Sequence, residues 1–251
     1  MIEQCCFSSR IKFFEDGFIK KWGITSYKGN LDSSCIFVGM YDETDFNIIK
    51  KHKGFKVLLQ TGSMNYNKNN QFIENLVLDN NMYFIWSFFC KFPLEAKVKE
   101  IHLPIKDYSR FIPNVMGDKI FMYLGSEARK NRYGYELAEE IKKHISFDII
   151  YGMFIPTKDY KTEYYDNCFL NLNLSITGCG GFTTAYELGY MGRYSISTSK
   201  ARMPMFIKFN NLCNIIVIIR KEARKIGTIQ PSLMDRYHVT TDDWKNESFW
   251  E

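Results

Sequence analysis

Short, continuous apolar runs, each closed by turn residues and separated from the next by a polar stretch, constrain this chain more than any other feature. CIFVGMY (35–41) gives way to DETDFNIIKKHK. KVLLQTG (56–62) gives way to a polar loop and NQFIENLVLDNN (70–81), and MYFIWSFF (82–89) follows. A run that is apolar at successive positions suits a strand buried on both faces, as in a parallel sheet. The intervening segments suit helices, so the rhythm is β-α-β-α-β and the expected class is α/β.

The rhythm stops at HLPIKDYSRFIPNVMGD (102–118), where Pro104 and Pro113 mark a linker. It then restarts. KIFMYLGS (119–126) reads as a strand, and YGYELAEEIKKHI (133–145) as a helix with Leu137, Ile141 and Ile145 on one face. FDIIYGMF (147–154) reads as a strand, KTEYYDN as a short helix and FLNLNLS (169–175) as a strand. TTAYELGYMG is a helix, and RYSISTS and NIIVIIR (214–220) are strands. Two Rossmann-like domains are expected: a small first domain over 1–110 and a second over 111–234. The tail 235–251 is expected to form a helix from Thr241 or Asp242 and to pack Trp244 or Phe249 against residues below 118.

With 251 residues, 45% of them hydrophobic, the chain can bury a core and is not disordered. Its net charge of +5 includes no basic block, which argues against a nucleic-acid partner. Cys5, Cys6, Cys35, Cys90, Cys168, Cys179 and Cys213 form no C-x-x-C pair, and the four histidines are scattered, so no metal site is expected. An odd set of thiols reads as free cysteines in a reducing compartment. MIEQCCFSSRIKFF has no signal-peptide core, and no apolar run is long enough to span a bilayer. The expectation is a soluble, cytoplasmic protein.

The stretch TGCGGFTTAYELGYMGRYSIS (177–197) carries most of the functional information. Gly178, Cys179, Gly180 and Gly181 follow a strand and precede a helix, an order that lets backbone approach a ligand closely. A helix that begins there points unpaired N–H groups and partial positive charge at the carboxyl ends of the strands, where an anion, commonly phosphate, is the natural occupant. Phe182, between the glycines and the helix, belongs to the same candidate nucleotide-sugar-binding stretch. Thr183 or Thr184 is expected to cap it. Glu187 lies one turn further in, placed to accept hydrogen bonds from a pair of sugar hydroxyls such as a ribose offers. Glycine-rich βα turns also serve packing alone. The loop is neither a Walker sequence nor a dinucleotide fingerprint. A second signal lies after the strand KIFMYLGS: Gly125 and Ser126 are followed by Arg129, Lys130 and Arg132, cations able to clamp a diphosphate.

Taken together, IHLPIKDYSRFIP, KIFMYLGS, YYDNCFLNLNLS and GGFTTAYELGYMGRYSIS resemble the donor-binding half of GT-B glycosyltransferases, most closely the retaining family-four type. The resemblance covers roughly residues 100–200. It implies two Rossmann-like domains facing across a cleft and a nucleotide-diphosphate sugar donor, with neither metal nor cofactor. The acceptor, whether glycan, lipid or protein, stays open. Arg129 and Lys130, with Arg132 as a substitute, would neutralise the leaving diphosphate, and Glu187 would bind the ribose. The chain departs from the family at Cys179, where the family carries an acidic residue that contacts the donor sugar. A retaining enzyme needs no general base; for an inverting one Asp42, Glu43, Asp45 and His102 are the candidates. The alternatives are a nucleotide-sugar epimerase on the same scaffold and a nucleotide-sugar-binding module without turnover.

Overall fold

The computed structural model describes residues 1–59, 75–80, 82–85, 98–99, 103–153, 160–176, 181–198, 203–235 and 242–250. The chain divides into two compact units: Met1–Asp107 with His238–Glu251, and Tyr108–Tyr237. Each has its own parallel sheet, and the class is α/β. No described helix is long and apolar enough to cross a membrane.

Unit one is built on six strands: β1 (Gln4–Phe7), β2 (Thr25–Ser26), β3 (Cys35–Val38), β4 (Lys56–Leu59), β5 (Tyr83–Ile85) and β6 (Val98–Lys99). Their order is β2-β1-β3-β4-β5-β6 and every pair is parallel. β1 and β3 are buried at every position, as strands covered on both faces must be. Alternation sends Cys5 to the cluster around Phe18 and Trp22, and Cys6 to the one around Phe37 and Ile49. Helix α1 (Glu15–Trp22) places Glu15 and Asp16 in its first turn. Helix α2 (Glu43–Lys51) starts with a capping box in which Asp42 accepts from the Asp45 amide and Asp45 from the Asp42 amide.

The C-terminal tail completes this core, but without the expected helix. It forms two 3-10 turns, Asp243–Lys245 and Glu247–Phe249. The Lys245 carbonyl accepts from the Ile2 amide, and the Lys245 ammonium donates to the Trp22 carbonyl at 2.8 Å and to Asp242 at 2.7 Å. These tertiary bonds take groups that a continuing helix would use. Trp244 lies edge-on to Trp22 at 5.2 Å, and the Trp250 indole donates to the Trp244 carbonyl at 2.8 Å.

His52, which follows α2, is buried against Phe37 and Tyr27, and neither ring nitrogen reaches hydrogen-bond geometry with a partner. Burial pushes its pKa down, against a smaller opposing pull from the Ser33 backbone.

Unit two carries β7 (Lys119–Gly125), β8 (Ile149–Met153), β9 (Cys168–Asn173), β10 (Tyr194–Ser197) and β11 (Phe206–Ile207). The order is β11-β10-β9-β7-β8, again all parallel. Read from its first strand, this is the open doubly wound order 2-1-3-4-5. Helices α3 (Tyr135–Lys142), α4 (Tyr160–Glu163), α5 (Phe182–Tyr190) and α6 (Leu212–Ala223) accompany it. One sheet face, with Ile120, Met122, Leu170, Leu172 and Ile196, packs with Ala138 and Ile141 of α3 and Ile215 and Ile219 of α6.

Helix α6 corrects the reading of NIIVIIR as a strand. Five consecutive β-branched residues favour a strand locally. Here Asn211 caps the segment by accepting from the Asn214 amide at 2.9 Å, and Ile215, Ile216, Ile218, Ile219 and Glu222 are buried while Val217 and Arg220 face out. That is a helical stripe, and its packing on the sheet outweighs β-propensity.

Two predictions follow from the packing of unit one. Trp244→Ala should lower unfolding free energy by about 3–5 kcal/mol in urea titration, the range for truncating a buried large aromatic; an unchanged midpoint would mean that the indole is not core. The His52 contribution has a definite sign. Because its folded-state pKa lies below the ordinary 6.5, stability is complete above that value and is lost as pH falls through the lower one. The urea midpoint should therefore drop between pH 7.5 and 5.5 (roughly one unit to either side of the unfolded value). His52→Phe should flatten that part of the profile.

Candidate functional site

In unit two the chain leaves β7 towards β8 on one side and leaves β9 towards β10 on the other. The carboxyl ends of β7 and β9 therefore border the topological switch point, where open parallel sheets bind ligands. Both sequence signals fall there. Gly125 ends β7 with φ +74°, and a Cβ on it would sit 2.6 Å from the Tyr133 ring, so glycine is required on two counts. Ser126 leads into the 3-10 helix Glu127–Tyr133, which carries the three cations. Just beyond β9, the Ile176 amide donates to the Arg132 carbonyl at 3.0 Å, joining the cation segment to the root of the glycine loop. Gly178, Cys179 and Gly180 lie outside the described residues, as do Cys90 and His102.

The cations differ in setting. Arg129 and Arg132 are exposed. Lys130 pairs with Glu127 and lies 4.7 Å from the Tyr135 ring centroid, and its pKa is raised, chiefly by the Glu127 hydrogen bond. The Tyr123 hydroxyl has its pKa raised first by burial, then by Tyr133 and Tyr160; Arg129 pulls it down and Glu187 pushes it up. One hydroxyl thus feels both the proposed phosphate cation and the proposed ribose carboxylate.

The start of α5 differs from expectation. Gly181, with φ +73°, is the N-cap, and no side chain caps the helix. Thr183 and Thr184 lie inside the first turn and cap nothing. Thr184 is buried within that turn. Phe182 packs edge-on against Phe206 at 5.4 Å. An uncapped N-terminus leaves the helix's partial positive charge uncompensated by its own side chains. α1 and α2 in unit one, by contrast, carry carboxylates in their first turns.

Glu187 is buried, and Oε2 accepts from the Tyr165 hydroxyl at 2.6 Å. Burial, followed by the Glu187 charge and hydrogen bond, holds the Tyr165 pKa well above its ordinary value, so the phenol keeps its proton and donates. Tyr165 packs on Phe121 of β7 at 5.0 Å, which fixes the carboxylate relative to the sheet.

Sequence reasoning missed two features. Arg193 is fully buried, and its guanidinium donates to the carbonyls of Cys168 (3.1 Å), Asn114 (3.3 Å), Val115 (3.0 Å) and Met191. It gathers the start of β9, the end of α5 and residues 114–115 around one charge. The second is polar: Asn171 and Asn173 of β9 and Ser195 and Ser197 of β10 are all buried, and Asn171 donates to Ser195 at 2.8 Å. The alternation in FLNLNLS and RYSISTS carried that signal.

Thiol chemistry is remote from this site among the described residues. Burial pushes Cys5, Cys6 and Cys168 up to about 12, and Cys213 alone among the described cysteines is exposed. Asp42 and Asp45 are engaged in their capping box. A groove of about 530 Å³ lined by Lys143, His144, Arg220 and neighbours opens where β8 begins, at the amino edge of the sheet, and contains no predicted site residue. No protein-family model matches the chain, and no curated protein matches it.

Tyr165→Phe should destabilise the protein by about 1.5–3 kcal/mol, the range for removing a hydrogen bond to a charged group. Chemical denaturation measures this, and a neutral result would show that Glu187 finds another donor.

Proposed function

We propose that the chain is a GT-B glycosyltransferase that moves a sugar from a nucleotide-diphosphate donor, with unit two binding the donor. The observation that carries this reading is the start of α5, without a side-chain cap, at the β7/β9 switch point, with Arg129 on the segment that leaves β7. Departure of a nucleoside diphosphate builds negative charge on its terminal phosphate. A helix N-terminus and a fixed guanidinium stabilise that charge without reorganising at the moment of reaction. In this reading Arg129 meets the leaving phosphate, the first-turn amides of α5 hold its oxygens, and Glu187 accepts from the ribose. The acceptor would be a glycan, lipid or protein.

Two observations favour narrower roles. The Lys130 ion pair with Glu127 removes one of the two proposed cations, which suits a nucleotide-sugar-binding module without turnover. The Tyr165 bond to Glu187 suits a carboxylate that shapes the loop.

Incubation with UDP, GDP, CMP and TDP sugars separates these readings. Transfer releases nucleotide together with a new glycoside, whereas a binding module gives a thermal shift alone. Binding at 100 times the dissociation constant adds about 2.7 kcal/mol of stability. Arg129→Ala should slow transfer by about 10²–10³-fold, and Lys130→Ala by much less. Glu187→Ala should cost about 1.5–3 kcal/mol of nucleotide affinity and leave pyrophosphate affinity nearly unchanged if the carboxylate holds the ribose. Equal losses would assign it to loop shape. Absence of binding by every nucleotide sugar would defeat the proposal.

A further inference from the structure

The polar stripe on the α5 side of the sheet ends at Asn173, the last residue of β9. Asn173 is 6% exposed, and its side-chain Nδ2 has no hydrogen-bond partner. This is not a displaced surface residue. Its backbone carbonyl accepts from the Thr198 amide at 3.2 Å, so the strand holds it in register. Its side-chain amide lies against the N-cap of α5: from where a Cβ on Gly181 would stand, Nδ2 is 3.6 Å and Oδ1 3.8 Å away. A buried amide donor without a partner carries a stability cost, and an apolar residue at this strand position would avoid it.

Three features meet at this point. α5 begins on a glycine with no side-chain cap among the described residues. The unpartnered donor lies beside that glycine. Arg129 lies on the segment that leaves β7, the strand paired with β9. An oxygen carrying negative charge satisfies all three, whereas a cation or an apolar group satisfies none.

We propose that Asn173 is a ligand-binding residue, donating a hydrogen bond through Nδ2 to an oxygen of a phosphate held at the N-terminus of α5. It rests on one part of the function proposed above, the placing of a phosphate at α5, and not on sugar transfer. Its consequence is a specificity rule: the group held there must offer an acceptor oxygen towards the sheet. The unmatched donor in the empty site is the stability cost of that rule.

The test uses the intact chain, inorganic pyrophosphate and uridine diphosphate, with calorimetry for affinity and thermal melting for stability. Asn173→Leu fills the same space without a donor. It should bind both ligands at least about ten-fold more weakly, the loss of one charge-assisted hydrogen bond, while melting no lower than the wild-type protein. Asn173→Asp keeps the shape and replaces the donor with a negative acceptor, and should bind more weakly still; it keeps the proposal testable if the leucine variant does not fold. Wild-type affinity in either folded variant would overturn the proposal and assign Nδ2 to water or to strain. Failure of the wild-type protein to bind pyrophosphate and uridine diphosphate would overturn it as well. If pyrophosphate binds in an Asn173-dependent way and no nucleotide sugar does, the oxyanion site stands and the glycosyltransferase reading fails.

Discussion

A parallel strand cannot be joined to its neighbour by a tight turn; the chain must cross back over a face of the sheet before it pairs again. In both units this requirement orders everything else. Each crossover covers a face, so β1, β3 and β9 are buried along their whole length. Each also begins at the carboxyl edge, so the loops and helix N-termini of one unit collect there. A site at that edge needs no special design. What needs explaining is the chemistry placed at each start.

The helix starts of α1 and α2 differ in charge from that of α5. In unit one Asp42 and Asp45 close α2 on itself, and Glu15 and Asp16 occupy the first turn of α1. Those ends are electrostatically satisfied from within and repel an incoming anion. In unit two α5 begins on Gly181 with no side-chain cap, and the Asn173 amide lies against that residue. A buried donor without a partner carries a cost in the folded protein.

Unit two sustains this arrangement through buried polar groups held by tertiary bonds. Arg193 has no carboxylate partner. Four backbone carbonyls satisfy its guanidinium instead, one of them at the end of α5, where the helix dipole favours a cation. Burial lowers its pKa, yet an arginine stays charged under any ordinary condition. The end of α5 is thereby fixed to the start of β9, which steadies the strand whose far end carries Asn173. Tyr165 works on the same side of the sheet, tying Glu187 to Phe121.

Local pattern determined a good deal by itself. The apolar runs at CIFV, KVLL, KIFMYLG and FLNLN became strands, and FTTAYELGY became a helix, because two-sided burial and amphipathic spacing are written in adjacent residues. That Gly125, Ser126 and the arginines directly follow a strand was legible too. The tertiary structure decided the rest. Residues 214–220 became helix because their apolar stripe found a sheet to cover, and the tail became 3-10 turns because Lys245 bonded across the fold to Ile2 and Trp22. Gly181, rather than a threonine, became the cap because the chain takes the left-handed conformation there, which leaves both threonines inside the helix. Asn173 and Arg193 looked ordinary in sequence. Their meaning depends on partners far away along the chain, or on the lack of one, and no local spacing encodes where a buried donor will find its acceptor.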